Sequence, residues 1–139
     1  MEPIEKKVTV NASVNRVWDA ITNPAEIEKW MLMVTDFSAE EGRKFKFHAD
    51  PTENWDGIFQ CKVQEVVKNK KLVYTWNTGF INADTIVTIE LKEKGNQTEL
   101  TLTHSGWEKL AANQEQTKNS HIEGWDIRFV QKLKELVEG

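Results

Sequence analysis

Two rhythms of hydrophobic and polar positions run along the chain, and the points where one gives way to the other mark its elements. Residues 4–10 (Ile-Glu-Lys-Lys-Val-Thr-Val) approximate strict alternation and stop at Asn11, the pattern of a strand with one wet face. Helical spacing follows at once. Val14, Val17, Trp18 and Ile21 fall at i, i+3, i+4 and i+7, with Ser13 placed to accept the first unpaired N–H groups. That helix stops at Thr22-Asn23-Pro24. Asn23 then caps a second short helix, because Pro24 stands where a missing N–H costs nothing and Glu26 lies three residues past the cap, as in a capping box. Ile27, Trp30 and Met31 share one face of it.

From Thr35 to His104 the period drops to two. Phe45 and Phe47, then Phe59, Cys61 and Val63, then Leu72, Tyr74 and Trp76, then Val87, Ile89 and Leu91, then Leu100, Leu102 and His104 each alternate with polar neighbours. Turn residues separate these runs: Glu40-Glu41-Gly42, Lys68-Asn69-Lys70-Lys71, Asn77-Thr78-Gly79 and Lys94-Gly95-Asn96, all short enough for hairpins. Past Ser105-Gly106 the helical period returns. His121, Ile122, Trp125, Phe129, Leu133, Leu136 and Val137 trace a broad stripe on a helix of roughly five turns. A one-faced antiparallel sheet must cover its apolar side, and this long amphipathic helix is the element available to do so. The sequence therefore predicts an α+β fold, a curved antiparallel sheet wrapped around a long C-terminal helix, with two short helices after the first strand.

A length of 139 residues suits a single domain spanning 1–139, large enough for a core without staples. The lone Cys61 allows no internal disulfide and no multi-cysteine metal motif. A net charge of −4 disfavours a nucleic-acid partner, and Trp30-Met31-Leu32-Met33-Val34 falls far short of the roughly 20 apolar residues that span a bilayer. The first residues carry no apolar stretch of signal-peptide length, so a cytoplasmic location, with no membrane partner, is the expectation.

Aromatic content changes the picture most: six tryptophans and six phenylalanines stand against one tyrosine. Strand and helix phase project a set of them toward the space between sheet and helix. The candidate ligand-binding residues are Phe45, Phe47, Phe59, Tyr74, Trp76, Val87, Leu102 and His104 from the strands, His121, Trp125 and Phe129 from the helix, and Trp30 or Met31 near the mouth, with Cys61 and Ile89 in the same phases. Small-molecule pockets have this composition, apolar walls with two or three polar points. The same residues would equally fill a core. His104, His121 and Tyr74 are the groups that could orient a ligand, and a histidine near neutrality could also move a proton. Glu65, sharing the phase of Phe59 and Val63, could reach the cavity rim. No catalytic set can be assigned: Ser105 points away from His104, and Cys61 lies in an apolar phase where a thiol is inert. Histidine spacing suits no metal site, and no glycine-rich phosphate loop or other cofactor motif is present.

The order Val17-Trp18-Asp19-Ala20-Ile21-Thr22-Asn23-Pro24, Trp30, Trp55-Asp56-Gly57 and Leu72-Val73-Tyr74-Thr75-Trp76 resembles the START-like SRPBCC superfamily, the Bet v-like helix-grip fold. Within it, residues 98–107 (Thr-Glu-Leu-Thr-Leu-Thr-His-Ser-Gly-Trp), Gly124-Trp125 and Leu133-Lys134 are similar to the family homologous to the C-terminal domain of the activator of heat-shock protein 90 ATPase. The resemblance covers nearly the whole chain. It implies a helix-grip fold with a cavity between sheet and helix, and a superfamily that binds lipids, hormones or polyketides and includes a few cyclases and hydratases. The expected function is non-enzymatic binding of a small hydrophobic or amphipathic molecule. The alternatives are a cyclase- or hydratase-type enzyme on a polyketide-like substrate, or a chaperone-associated module with a protein partner. The chaperone activators carry a separate N-terminal domain for which 139 residues leave no room, so direct ATPase activation is not expected.

Overall fold

The computed structural model describes residues 1–78, 83–110 and 113–139. The chain opens with β1 (Ile4–Val10), α1 (Val14–Thr22) and α2 (Pro24–Met31), followed by the strands β2 (Val34–Thr35), β3 (Lys44–His48), β4 (Ile58–Val67), β5 (Lys71–Asn77), β6 (Thr85–Lys94) and β7 (Gln97–Ser105). These strands form one antiparallel sheet in the order β1-β7-β6-β5-β4-β3-β2. A 3₁₀ turn (Trp107–Lys109) leads toward the C-terminal helix, which runs without a break through α3 (Gln114–Trp125), a π-helical stretch (Asp126–Leu133) and α4 (Lys134–Glu138).

Local chemistry explains most of the boundaries. Ser13 accepts from the Arg16 N–H at 3.1 Å, and Asn23 Oδ1 accepts from the Ala25 N–H at 3.1 Å, as their types demand. The expected capping box around Glu26 does not close. The Asn23 N–H already donates to the Asp19 carbonyl at the end of α1, so the Glu26 carboxylate turns instead to Lys29 and Arg16. Gly57, at φ +81°, lies so close to the end of β3 that a Cβ there would stand 2.5 Å from the Ala49 carbonyl oxygen; only glycine fits. The predicted turn at Gly79 lies outside the described residues.

Two further expectations need correction. The helix begins at Gln114, well before the apolar stripe, and so makes about seven turns rather than five. Its first turns are almost wholly polar, which hides them from hydrophobic periodicity. Glu65 does not reach the inner face: Val63 pairs with Tyr74 but Glu65 with Val73, so Gln64 is an extra residue in β4 and the phase flips beyond it. Glu65 accordingly points outward beside Lys71, 3.5 Å away.

The inner face of the sheet carries Phe45, Phe47, Cys61, Val63, Leu72, Tyr74, Trp76, Val87, Ile89, Leu100 and Leu102, all buried. Against it lies a row from the helix: Trp125, Phe129, Leu133 and Val137. The helix is also tied to β1, through Lys6 to Asp126 at 2.8 Å and Lys134 to the Thr9 carbonyl at 3.0 Å. This is the curved sheet around a long helix that the pattern predicts, an α+β helix-grip fold.

Candidate functional site

Near one end of the helix the packing opens into a pocket of about 130 Å³, lined by Met31, Phe59, Trp76, Ser120, His121, Gly124, Trp125 and Arg128. Three parts of the fold supply these residues: the end of α2, the strands β4 and β5, and two turns of the C-terminal helix. Ser120 is exposed, so the pocket reaches the surface. Phe59 and Trp76 stack at 4.4 Å with planes 32° apart, and Trp125 stands 5.7 Å from Trp76. The walls are thus aromatic.

Of the residues expected to line a cavity, Phe59, Trp76, His121 and Trp125 do so, joined by Met31. The others sit behind them. Phe45, Phe47 and Tyr74 pack edge to face, with Phe45 at 5.5 Å from Phe47 and 5.3 Å from Tyr74. Trp30 donates its indole N–H to the Ala20 carbonyl at 2.9 Å and meets Phe129 edge-on at 6.4 Å. Val87 and Leu102 are fully buried on the sheet, and burial pushes the Tyr74 phenol and the Cys61 thiol far up, leaving both un-ionised.

The two histidines form the polar heart of the site. The Trp125 indole N–H donates to His104 Nδ1 at 3.0 Å, and an indole can only donate, so that nitrogen is bare and the proton sits on Nε2. His104 Nε2 then donates to Thr85 Oγ1 at 2.7 Å, which in turn donates to the Trp76 carbonyl at 2.8 Å. His121 repeats the arrangement in mirror sense. Its Nε2 accepts from the Trp76 indole at 3.0 Å and its Nδ1 donates to the Thr117 carbonyl at 2.7 Å. Both imidazoles are therefore neutral in complementary tautomers, with ring centroids 5.4 Å apart. Burial holds the His104 pKa well below the usual histidine range, reinforced by His121; burial also lowers His121, with Arg128 adding to it against the Thr117 bond.

Three participants escaped the sequence reading. Thr85 is a polar residue in phase with Val87 and Ile89, a signal that period two could have given. Trp107, whose ring lies 4.3 Å from His104 and whose N–H donates to the His104 carbonyl, comes from the 3₁₀ turn that no periodicity announces. Arg128 sits on the helix stripe's flank and donates Nε–H to the Met31 carbonyl at 2.8 Å.

The network makes a measurable claim. Trp125→Phe keeps an aromatic ring but removes the indole N–H, leaving His104 Nδ1 buried without a donor, and is expected to lower stability by at least about 1–3 kcal/mol in chemical denaturation. A loss below about 0.5 kcal/mol, the scale of a neutral surface change, would contradict the assigned tautomer.

A family model described as activator of Hsp90 ATPase homolog 1-like protein matches residues 11–138. The chain belongs to this family. Among solved structures it is similar to protein MLL2253 of Mesorhizobium loti, with 29% identity, a TM-score of 0.83, and coverage of 97% of this chain and 96% of that one. Protein BH1534 of Bacillus halodurans matches at 28% identity and TM-score 0.81, covering 99% and 98% of the two chains. The Aha1 dimer of Colwellia psychrerythraea shares the fold at 20% identity and TM-score 0.70, over 99% of this chain and 97% of that one. No curated protein matches the chain. For this member of the activator of Hsp90 ATPase homolog 1-like family, the described residues hold no helix long and apolar enough to cross a membrane and no group of three or more metal-ligating side chains.

Proposed function

We propose that this chain binds a small hydrophobic or amphipathic molecule between sheet and C-terminal helix without turning it over. One observation carries the reading: an aromatic-walled gap, open at Ser120, beside a core in which Phe45, Phe47 and Tyr74 pack ring against ring. Protein interiors leave few voids larger than a water, so a gap of this size invites an occupant. Its about 130 Å³ is close to the roughly 150 Å³ of an apolar cavity that takes up benzene, and below the about 300 Å³ at which drug-sized pockets begin. The matching occupant is one ring, or the ring-bearing end of a longer molecule.

Binding is favoured over catalysis by the histidines. Each has one nitrogen accepting from a tryptophan and the other donating to an oxygen, so neither offers a lone pair to substrate. A general base needs that lone pair within hydrogen-bond reach. The test is native mass spectrometry of the purified protein, with a titration of the neutral single-ring amide benzamide followed by tryptophan fluorescence. Either an extra mass released on denaturation or saturable quenching that Phe59→Ala weakens at least tenfold is expected. A bare chain mass together with no uptake of the amide would overturn the proposal.

A further inference from the structure

Arg128 differs from the other site residues in being a charge. Its Nε–H caps the end of α2 at the Met31 carbonyl, yet among the described residues neither Nη nitrogen has a hydrogen-bond partner and no carboxylate lies within ion-pair distance. Arg16, by contrast, faces both Asp19 and Glu26. The guanidinium is half-buried, and its burial lowers its pKa, a sign of lost hydration.

Gly124 locates the unpartnered end. A Cβ on Gly124 would stand 2.9 Å from Arg128 Nη1, and Gly124 itself lines the pocket. The Nη1 edge therefore lies against the pocket wall. Glycine inside a helix is a poor choice for stability, and here it opens the seat that the guanidinium occupies.

We infer that the pocket selects an aryl carboxylate, its ring between Phe59, Trp76 and Trp125 and its carboxylate on the free Nη edge of Arg128. This rests on the ring-binding reading above and adds the sign of the ligand's charge. A guanidinium presents paired N–H donors in the fork that a carboxylate matches, and the bonds strengthen where water is excluded. With His121 neutral, Arg128 is the only cation lining the pocket among the described residues.

The test compares benzoate with benzamide, which has the same ring but no charge, by titration calorimetry on the full chain. Wild type is expected to bind the carboxylate at least tenfold more tightly. Arg128→Gln should bring the ratio close to one. Gly124→Ala, a change that favours the helix and so does not threaten folding, should push the guanidinium tip aside and shrink the ratio as well. The indole ¹⁵N–¹H signals of Trp76 and Trp125 should shift on binding, fixing the location. A ratio near one in wild type, or one unchanged in Arg128→Gln, overturns this inference while amide binding keeps the cavity reading. If neither compound binds, this inference falls, and a bare chain mass beside that result takes the cavity reading with it.

Discussion

Replacing Phe129 with alanine is expected to cost about 3–5 kcal/mol, the range for deleting a buried aromatic ring, and to lower the melting temperature by on the order of 10 °C. Phe129 is fully buried at the middle of the π-helical stretch, wedged edge-on against Trp30 of α2. Its position follows from the helix geometry. The buried row Trp125, Phe129, Leu133 and Val137 advances by four residues each time. At 3.6 residues per turn each such step overshoots a full turn by about 40°, so a purely α-helical row would drift away from the sheet. Hydrogen bonds spanning five residues widen the turn and take that drift back, which keeps the row facing the sheet. Ile127, exposed on the same turn, serves as control: Ile127→Ala should change stability by less than about 0.5 kcal/mol. Urea denaturation of both variants decides it. A Phe129→Ala loss under about 1 kcal/mol would mean that this row is not the contact described.

The π stretch also shows where sequence reading stops. The stripe His121, Ile122, Trp125, Phe129, Leu133, Leu136 and Val137 announces a helix and its buried face, but a widened turn alters hydrogen bonding rather than residue type, so nothing in the pattern marks it. Strands and their inner faces were legible because period two is a direct consequence of the pleat, and Phe45, Phe47, Tyr74 and Val87 all lie where alternation puts them. The same logic failed at Glu65, because one inserted residue inverts every later side chain without changing composition. For the site, phase could say which residues face inward but not which of them touch each other. The pairing of Trp76 with His121, and of Trp125 with His104, joins residues far apart in sequence and depends on how far the helix sits along the sheet. Whether aromatic residues fill a space or line one is decided by the same offset.

Acid should destabilise this protein well before its carboxylates are protonated. An unfolded histidine takes up a proton near pH 6.5, whereas His104 and His121 are held below that, by burial first in both cases. Between these limits the unfolded chain binds more protons than the folded one, so stability is complete above about pH 6.5 and falls as pH falls. The slope approaches about 1.4 kcal/mol per pH unit for each histidine that stays neutral in the folded chain while it is protonated in the unfolded one. Glu26, Glu99 and Glu138 have carboxyl groups lowered by hydrogen bonds from Lys29, Lys94 and the Asn11 N–H, so their contributions are lost only below the usual carboxylate range, near pH 4.3. The interval from pH 6.5 to about 4.5 is therefore governed by the imidazole pair. Protonating either ring sets a new N–H against an indole N–H that already points at the same nitrogen, so the transition should carry Trp76 or Trp125 fluorescence with it. Urea midpoints at pH 7, 6 and 5 measure the slope, and His121→Gln should reduce it. A wild-type midpoint that stays flat from pH 7 to pH 5 would mean that the two imidazoles are not buried as neutral acceptors, and the hydrogen-bond scheme of the site would fail with it.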